Sequence, residues 1–268
     1  GCKKNCICCI LTILAPLKKN NKPIPKRGYK KYYNIYNKYL LEHYNKNKKN
    51  NNEKNDREKL NWIDWEIIVN FQKELFDNFI KKNVHKNIDY ISKENKIELL
   101  NLLCLSLYVY IPPRRLVYAK TKIISYDQYL LFNEINKNIE TLDNNLFLVI
   151  LDEDNKFFSF GKNISKVKQK ETYIINIPKE LNHIINIFLT YHKGNYLLFR
   201  KGDEKQMNKN ELSKLLNKLF MKKFNKKVSC NMLRKIYSTY TCPQNLKKIA
   251  SDMNHSIAVH LEHYVKND

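Results

Sequence analysis

Five glycines occur in 268 residues, and none belongs to a GxxxxGK[ST] loop or any other glycine-rich turn. Backbone that closes around nucleotide phosphates needs such turns, so nucleotide hydrolysis and a dinucleotide site are excluded. No HExxH occurs either. His255, His260 and His263 stand five and three residues apart, which does not give the facing i, i+4 pair of a zincin helix, and no cysteine pair accompanies them. Neither a metal nor a cofactor is expected. Apolar runs are short. CICCILTILAPL at residues 6–17 falls below the ~20 residues that a bilayer span requires, so no membrane partner is expected. A basic start before an apolar run echoes a signal peptide, but an extension or an atypical start of the reading frame is the preferred reading. The seven cysteines do not pair up: Cys2, Cys6, Cys8 and Cys9 crowd the first nine residues, too tightly for a zinc ribbon, and Cys104, Cys230 and Cys242 are scattered. That usage fits a reducing, intracellular compartment. Acid is also scarce, with 26 Asp+Glu against 49 Lys+Arg.

The resulting net charge of +23 draws a polyanion, and double-stranded DNA is the leading partner. Codon bias of an AT-rich genome accounts for part of the Lys and Asn content, but not for the missing acids. A hydrophobic fraction of 43% is that of a globular chain. Residues 1–59 read as a basic N-terminal extension and a Lys/Asn-rich linker. Within them Tyr29, Tyr32, Tyr33, Tyr36, Tyr39 and Leu40 recur at helical spacing. A DNA-clasping arm and a tyrosine-rich packing helix both satisfy that pattern.

Residues 60–92 form a helical N-terminal region, in which Trp62, Trp65, Leu75, Phe76 and Phe79 lie on one helical face. Residues 93–268 form the main domain. Its first helix runs from Ser92, a good N-cap, to Val109; it is apolar almost all round and stops at Pro112-Pro113. Three short strands are expected at 145–151, 156–160 and 172–177, with a DEDN turn between the first two. Helices return at 179–191, at 208–224 behind an Asn208/Glu211 capping box, and at 231–240, with Pro243 opening another and a last short helix carrying Tyr264. The expected class is mainly α with a small antiparallel sheet (α+β).

Cations and one tyrosine carry the chemistry. IPPRRLVY places Arg114 and Arg115 after the apolar helix, where packing does not call for arginine. Lys162, Lys166, Lys168 and Lys170 crowd the connection between the last two strands. NMLRKIY sets Arg234 among Met232, Leu233 and Ile236, a setting that half buries its stem, with Lys235 beside it. His255 stands nine residues before Tyr264. Arginine, hairpin lysine, xxxR on a helix, histidine, then tyrosine is an order that resembles the tyrosine recombinase, or integrase, family. Within it, the Trp-x-x-Trp helix followed by an apolar helix ending in IPPRR is most similar to members carried by large DNA viruses and their mobile elements. The likeness runs from about Leu60 to Tyr264.

That resemblance implies a tyrosine recombinase catalytic domain preceded by a helical DNA-binding region. It implies site-specific cutting and rejoining of DNA through a 3′-phosphotyrosyl intermediate, without metal or ATP, for recombination or integration of a mobile element. By position, Arg114 matches the first arginine, with Arg115 the alternative, and Lys170 the hairpin lysine, with Lys168 the alternative. Asn231 stands where the family usually has histidine, Arg234 matches the second arginine, His255 the histidine and Tyr264 the nucleophile. Arg115, Lys166, Lys168 and Lys235 are expected on the DNA. Guanidinium pairs suit the non-bridging oxygens of a phosphodiester. A tyrosine with pKa about 10 is a poor nucleophile at neutral pH, and surrounding cations favour its phenolate. Val117 departs from the usual acid and Asn254 from the usual glycine. A homotetramer on DNA is implied; only four residues follow Tyr264, so the exchanged element is that tyrosine's own helix or the interface lies elsewhere. Two other readings stay open: a type IB topoisomerase, and a catalytically decayed DNA-binding protein on the same fold.

Overall fold

The computed structural model describes residues 34–35, 53–82, 90–134, 144–164, 172–200, 205–241, 253 and 264–266. They fall in two units, Gly1–Glu53 and Lys54–Asp268. Of the first unit only residues 34–35, which are helical, and Glu53 are described.

The second unit opens with α1 (Asp56–Asn61), which begins inside the tract read as linker and crosses its expected end at residue 59. Local hydrogen bonding explains it. Asn55 Oδ1 accepts from the Glu58 amide at 3.0 Å while Glu58 Oε2 accepts from the Asn55 amide at 3.2 Å, a reciprocal cap. Helix α2 (Trp65–Lys81) buries Trp65, Ile68, Phe71, Gln72 and Phe79 on one face. It packs on α3 (Lys93–Val109), which starts where Ser92 Oγ accepts from the Asn95 amide at 3.2 Å. Residues 102–108 of α3 are buried without a break, so this half of the helix has no solvent stripe and forms the centre of the core. A buried polar relay ties it to α2: Gln72 Nε2 donates to Ser106 Oγ at 3.0 Å, and Ser106 Oγ donates to Leu102 O at 2.8 Å.

Past Pro112-Pro113 the chain turns through a short 3-10 helix (Leu116–Lys120) into a four-stranded sheet. Its strands are β1 (Thr121–Ser125), β2 (Leu146–Ile150), β3 (Lys156–Phe160) and β4 (Tyr173–Asn176), in that order across the sheet. The three expected strands are there and pair antiparallel. The sheet as a whole is mixed, because the unexpected β1 joins parallel to β2. A helix, α4 (Tyr126–Glu134), follows β1 directly and packs on β1 and β2, as a parallel crossover requires. Thr121, Leu146, Phe160 and Tyr173 align across the sheet as its terminal row. Outside β1, Leu197 N donates to Thr121 O and Ile123 N to Asn195 O, both at 2.9 Å, so that edge is covered.

Three more helices complete the unit: α5 (Lys179–Tyr191), α6 (Lys209–Phe224) and α7 (Cys230–Thr241). The DEDN turn is tied to α5, since Asn182 Nδ2 donates to Glu153 O at 2.9 Å and Lys156 Nζ to Asn182 Oδ1 at 2.9 Å. Helix α6 has the expected Asn208/Glu211 box, with bonds of 3.0 and 2.7 Å. It ends on Asn225 at φ 54°, a left-handed angle that asparagine tolerates. Helix α3 lies against α5 and α6, and α6 against the 3-10 helix. The fold class is α+β, mainly helical with one small sheet. Among the described residues no helix is long and apolar enough to cross a membrane.

Candidate active site

Helix α7 is aimed from both ends. Upstream, Lys227 N donates to Asn61 Oδ1 at 2.6 Å, and Lys226 Nζ donates to Trp62 O at 2.5 Å, so the α1–α2 junction holds the loop entering α7. Farther along, Trp65 meets Tyr237 edge-on at 5.0 Å, and Lys235 is ion-paired with Glu58 of α1. With α7 fixed this way, Arg234 faces the interior.

Arg234 is 2% exposed. The apolar neighbours in NMLRKIY predict a half-buried stem; the structure buries the guanidinium too, because two distant segments close over it. Its Nε donates to Pro113 O at 3.2 Å and its Nη2 to Met253 O at 3.5 Å. Its Nη1 donates to the Tyr264 hydroxyl at 2.5 Å, and its Cζ lies 4.3 Å from the centre of that ring. Burial pulls Arg234 below the ordinary arginine value, opposed by Tyr264 and Cys230 and assisted by the nearby Arg115 charge. A guanidinium stays a cation under these conditions. Tyr264 is itself buried, against Met253 and Tyr237.

Arg114 reaches the same junction by its backbone. The Cys230 thiol donates to Arg114 O at 3.0 Å. Burial pushes Cys230 up to about 11, so it remains a thiol and a donor at neutral pH. The adjacent carbonyls of Pro113 and Arg114 thus both take hydrogen bonds from α7. The sequence gives no packing reason for arginine at position 114, yet the side chain is packed. It is 5% exposed and packed, with its Cζ 3.9 Å from the centre of Phe160 and 4.7 Å from that of Tyr173. Those rings sit on the terminal row of the sheet and offer their π faces to the cation. Arg115, next in the chain, is exposed.

Asn231 is exposed on the first turn of α7, one turn before Arg234. Lys235 is partly exposed, its ammonium on Glu58. Lys166, Lys168, Lys170 and His255 lie outside the described residues, as does Pro243; of the short helix expected to carry Tyr264, residues 264–266 are described, and Tyr264 sits in a turn there. Ile164 and Thr172, on either side of the lysine segment, are described; Thr172 directly precedes Tyr173 of the terminal row. Among the described residues no group of three or more His, Cys, Asp or Glu is placed to hold a metal.

Several participants escaped the sequence. Phe160 and Tyr173 read as ordinary strand aromatics, and only strand register shows that they share a row under Arg114. Cys230 read only as one of three scattered cysteines. Thr239 also belongs here: its Oγ1 donates to Tyr264 O at 3.4 Å and accepts from Lys266 N at 2.9 Å, which ties the segment after the tyrosine to α7. Lys266 is 7% exposed, and burial together with the Lys235 charge pulls it down while Glu58 pulls it up.

No family model matches the chain, and no curated protein matches it. Among solved structures it is similar to the crystal structure of XerA recombinase, at 14% identity and a TM-score of 0.40. The superposition covers 67% of this chain and 59% of that one, so less than two thirds of the recombinase's length is matched.

Proposed function

We propose that this chain breaks and rejoins DNA in the manner of a tyrosine recombinase, with Tyr264 as nucleophile. The observation that carries the reading is the buried 2.5 Å hydrogen bond from Arg234 to the Tyr264 hydroxyl, between side chains 30 residues apart. The bond sets a guanidinium directly on the phenol oxygen that would attack, and a guanidinium's fork of donors suits the oxygens of a phosphate. The order of residues and the IPPRR stretch add support, and the charge of +23 suits double-stranded DNA.

In this mechanism the Tyr264 oxygen, having given up its proton to solvent water, attacks phosphorus in line. The new P–O bond forms as the bond to the 5′ oxygen breaks, and that oxygen leaves with a proton from Lys170. Arg234, with Arg114 or the exposed Arg115, holds the non-bridging oxygens, and His255 donates to them. The long contact from Arg234 Nη2 to Met253 O, at 3.5 Å, is the one most readily exchanged for a phosphate oxygen. Attack of a 5′ hydroxyl on the phosphotyrosine reverses the step and restores the tyrosine. Work on two duplexes by a homotetramer, in a reducing intracellular compartment and on a viral or mobile element, completes the proposal.

A second reading, DNA binding without cleavage, is favoured by Asn231, whose amide cannot take the tyrosine proton. A nicked suicide duplex carrying the element's terminal sequence separates the two. The catalytic reading expects a covalent protein–DNA adduct from the wild type and none from Tyr264→Phe. No adduct from either favours the second reading; an adduct that persists in Tyr264→Phe makes Tyr264 the wrong nucleophile.

A further inference from the structure

The terminal row of the sheet has two sides. On the β3–β4 side Arg114 stacks on Phe160 and Tyr173. On the β1–β2 side, just beyond Leu146 of the same row, lies a cavity of about 430 Å³. Lysines from three places line it: Lys120 closes the 3-10 helix, Lys122 is on β1, and Lys209 opens α6. Amide side chains fill the gaps, among them Asn144, Asn145 and Gln206. Among the described residues no Asp or Glu lines the cavity.

The first turn of the 16-residue helix α6 adds its own positive end at Lys209. Glu211, the acid of that turn, is already engaged in capping Asn208 and in an ion pair with Arg200 at 3.0 Å. Ammonium groups, amide donors and a helix N-terminus in a concave site are what a phosphate group requires. A Lys-rich surface puts lysines everywhere, but it does not gather them from three elements into a cavity whose described lining holds no acid.

We infer that this cavity takes a backbone phosphate of the bound DNA, away from the phosphate that is cut. The inference rests on the DNA-cleaving reading for the identity of the polyanion. The placement supports it, because the cavity and the Arg114 stack on Phe160 and Tyr173 share one end of the sheet, so a strand crossing that end passes over both. The volume admits a phosphate and its sugar. The site therefore fixes the register of the duplex relative to Tyr264 and reads no base.

The test uses the full chain and an uncut duplex, with affinity measured against salt. Lys122→Gln with Lys209→Gln should make the slope of log K against log[salt] shallower by about 2, and Lys122→Arg with Lys209→Arg should restore it. A control pair, Lys73→Gln with Lys193→Gln, removes the same charge from exposed positions outside the cavity and should change the slope less. Circular dichroism melting checks that each variant is folded. An unchanged slope in the cavity pair, or an equal change in the control pair, overturns the inference while the DNA reading stands. A wild type without salt-sensitive DNA binding overturns the DNA reading itself. Titration with inorganic phosphate separates the sources: if it raises the melting temperature of the wild type but not of the cavity pair, and the DNA slopes are equal, the cavity holds a free anion and the inference is wrong.

Discussion

Arg234 joins three separate segments, and its substitutions should reflect that. Arg234→Ala removes the donor from the buried Pro113 carbonyl and the Tyr264 hydroxyl, which should cost about 1–3 kcal/mol in denaturant unfolding. It should abolish adduct formation yet leave most salt-sensitive DNA binding, since the bulk of that binding comes from other cations. Arg234→Lys keeps the charge but loses the fork, so it should not restore cleavage; restoration would show that charge alone suffices. Glu58 is a second residue with a defined signature. Burial pushes its carboxyl up, but the hydrogen bonds from Lys235 and the Asn55 amide, and the Lys235 charge, outweigh burial and hold it below the usual 4.5. A depressed carboxyl contributes stability that is full above the unfolded value and is lost as pH falls through the folded one. The wild type should therefore lose stability below about pH 4.5 more steeply than Glu58→Gln, which starts lower at pH 7; parallel acid limbs in urea titrations would contradict the pairing. At this scale sequence reading went only part way. The apolar neighbours of Arg234 announced an inward face, but not that Pro113 and Met253 would seal it. The Arg114 stack was illegible, because it depends on the register of β3 against β4.

At the scale of elements, what was legible had its cause close by in sequence. Helix α3 showed its cap, its apolar body and its Pro-Pro stop in one continuous stretch, Ser92 to Pro113. Helix α6 showed Asn208 and Glu211 three residues apart. That box should be worth about 1 kcal/mol. Asn208→Ala should lower the urea midpoint without changing the slope of the transition, and an unchanged midpoint would mean the cap is idle. Strand β1 was not legible. TKIIS carries a charge in mid-strand and no turn signal at its end, and its partner β2 is parallel and lies beyond α4. Its reason for being a strand is tertiary: Leu146–Ile150 on one side and Asn195–Leu197 on the other. Helix α1 was hidden differently, in a polar tract whose helicity depends on Asn55 and Glu58 rather than on apolar spacing.

Over the whole molecule, the excess of cations and the buried contact between Arg234 and Tyr264 make one account. On the proposed function the charge concentrates DNA at the surface, and the architecture delivers the Tyr264 phenol to the Arg234 guanidinium. On the same proposal neither a glycine-rich loop nor a nucleotide is needed, because a phosphotyrosine ester conserves the energy of the broken bond. The most direct measurement is mass spectrometry of the covalent product. After incubation with a nicked duplex, nuclease and protease digestion should leave a nucleotide, through its 3′ phosphate, on the peptide that contains Tyr264. The same label on Tyr237, Tyr240 or any other residue, or no labelled peptide from protein that binds the duplex, would contradict the account.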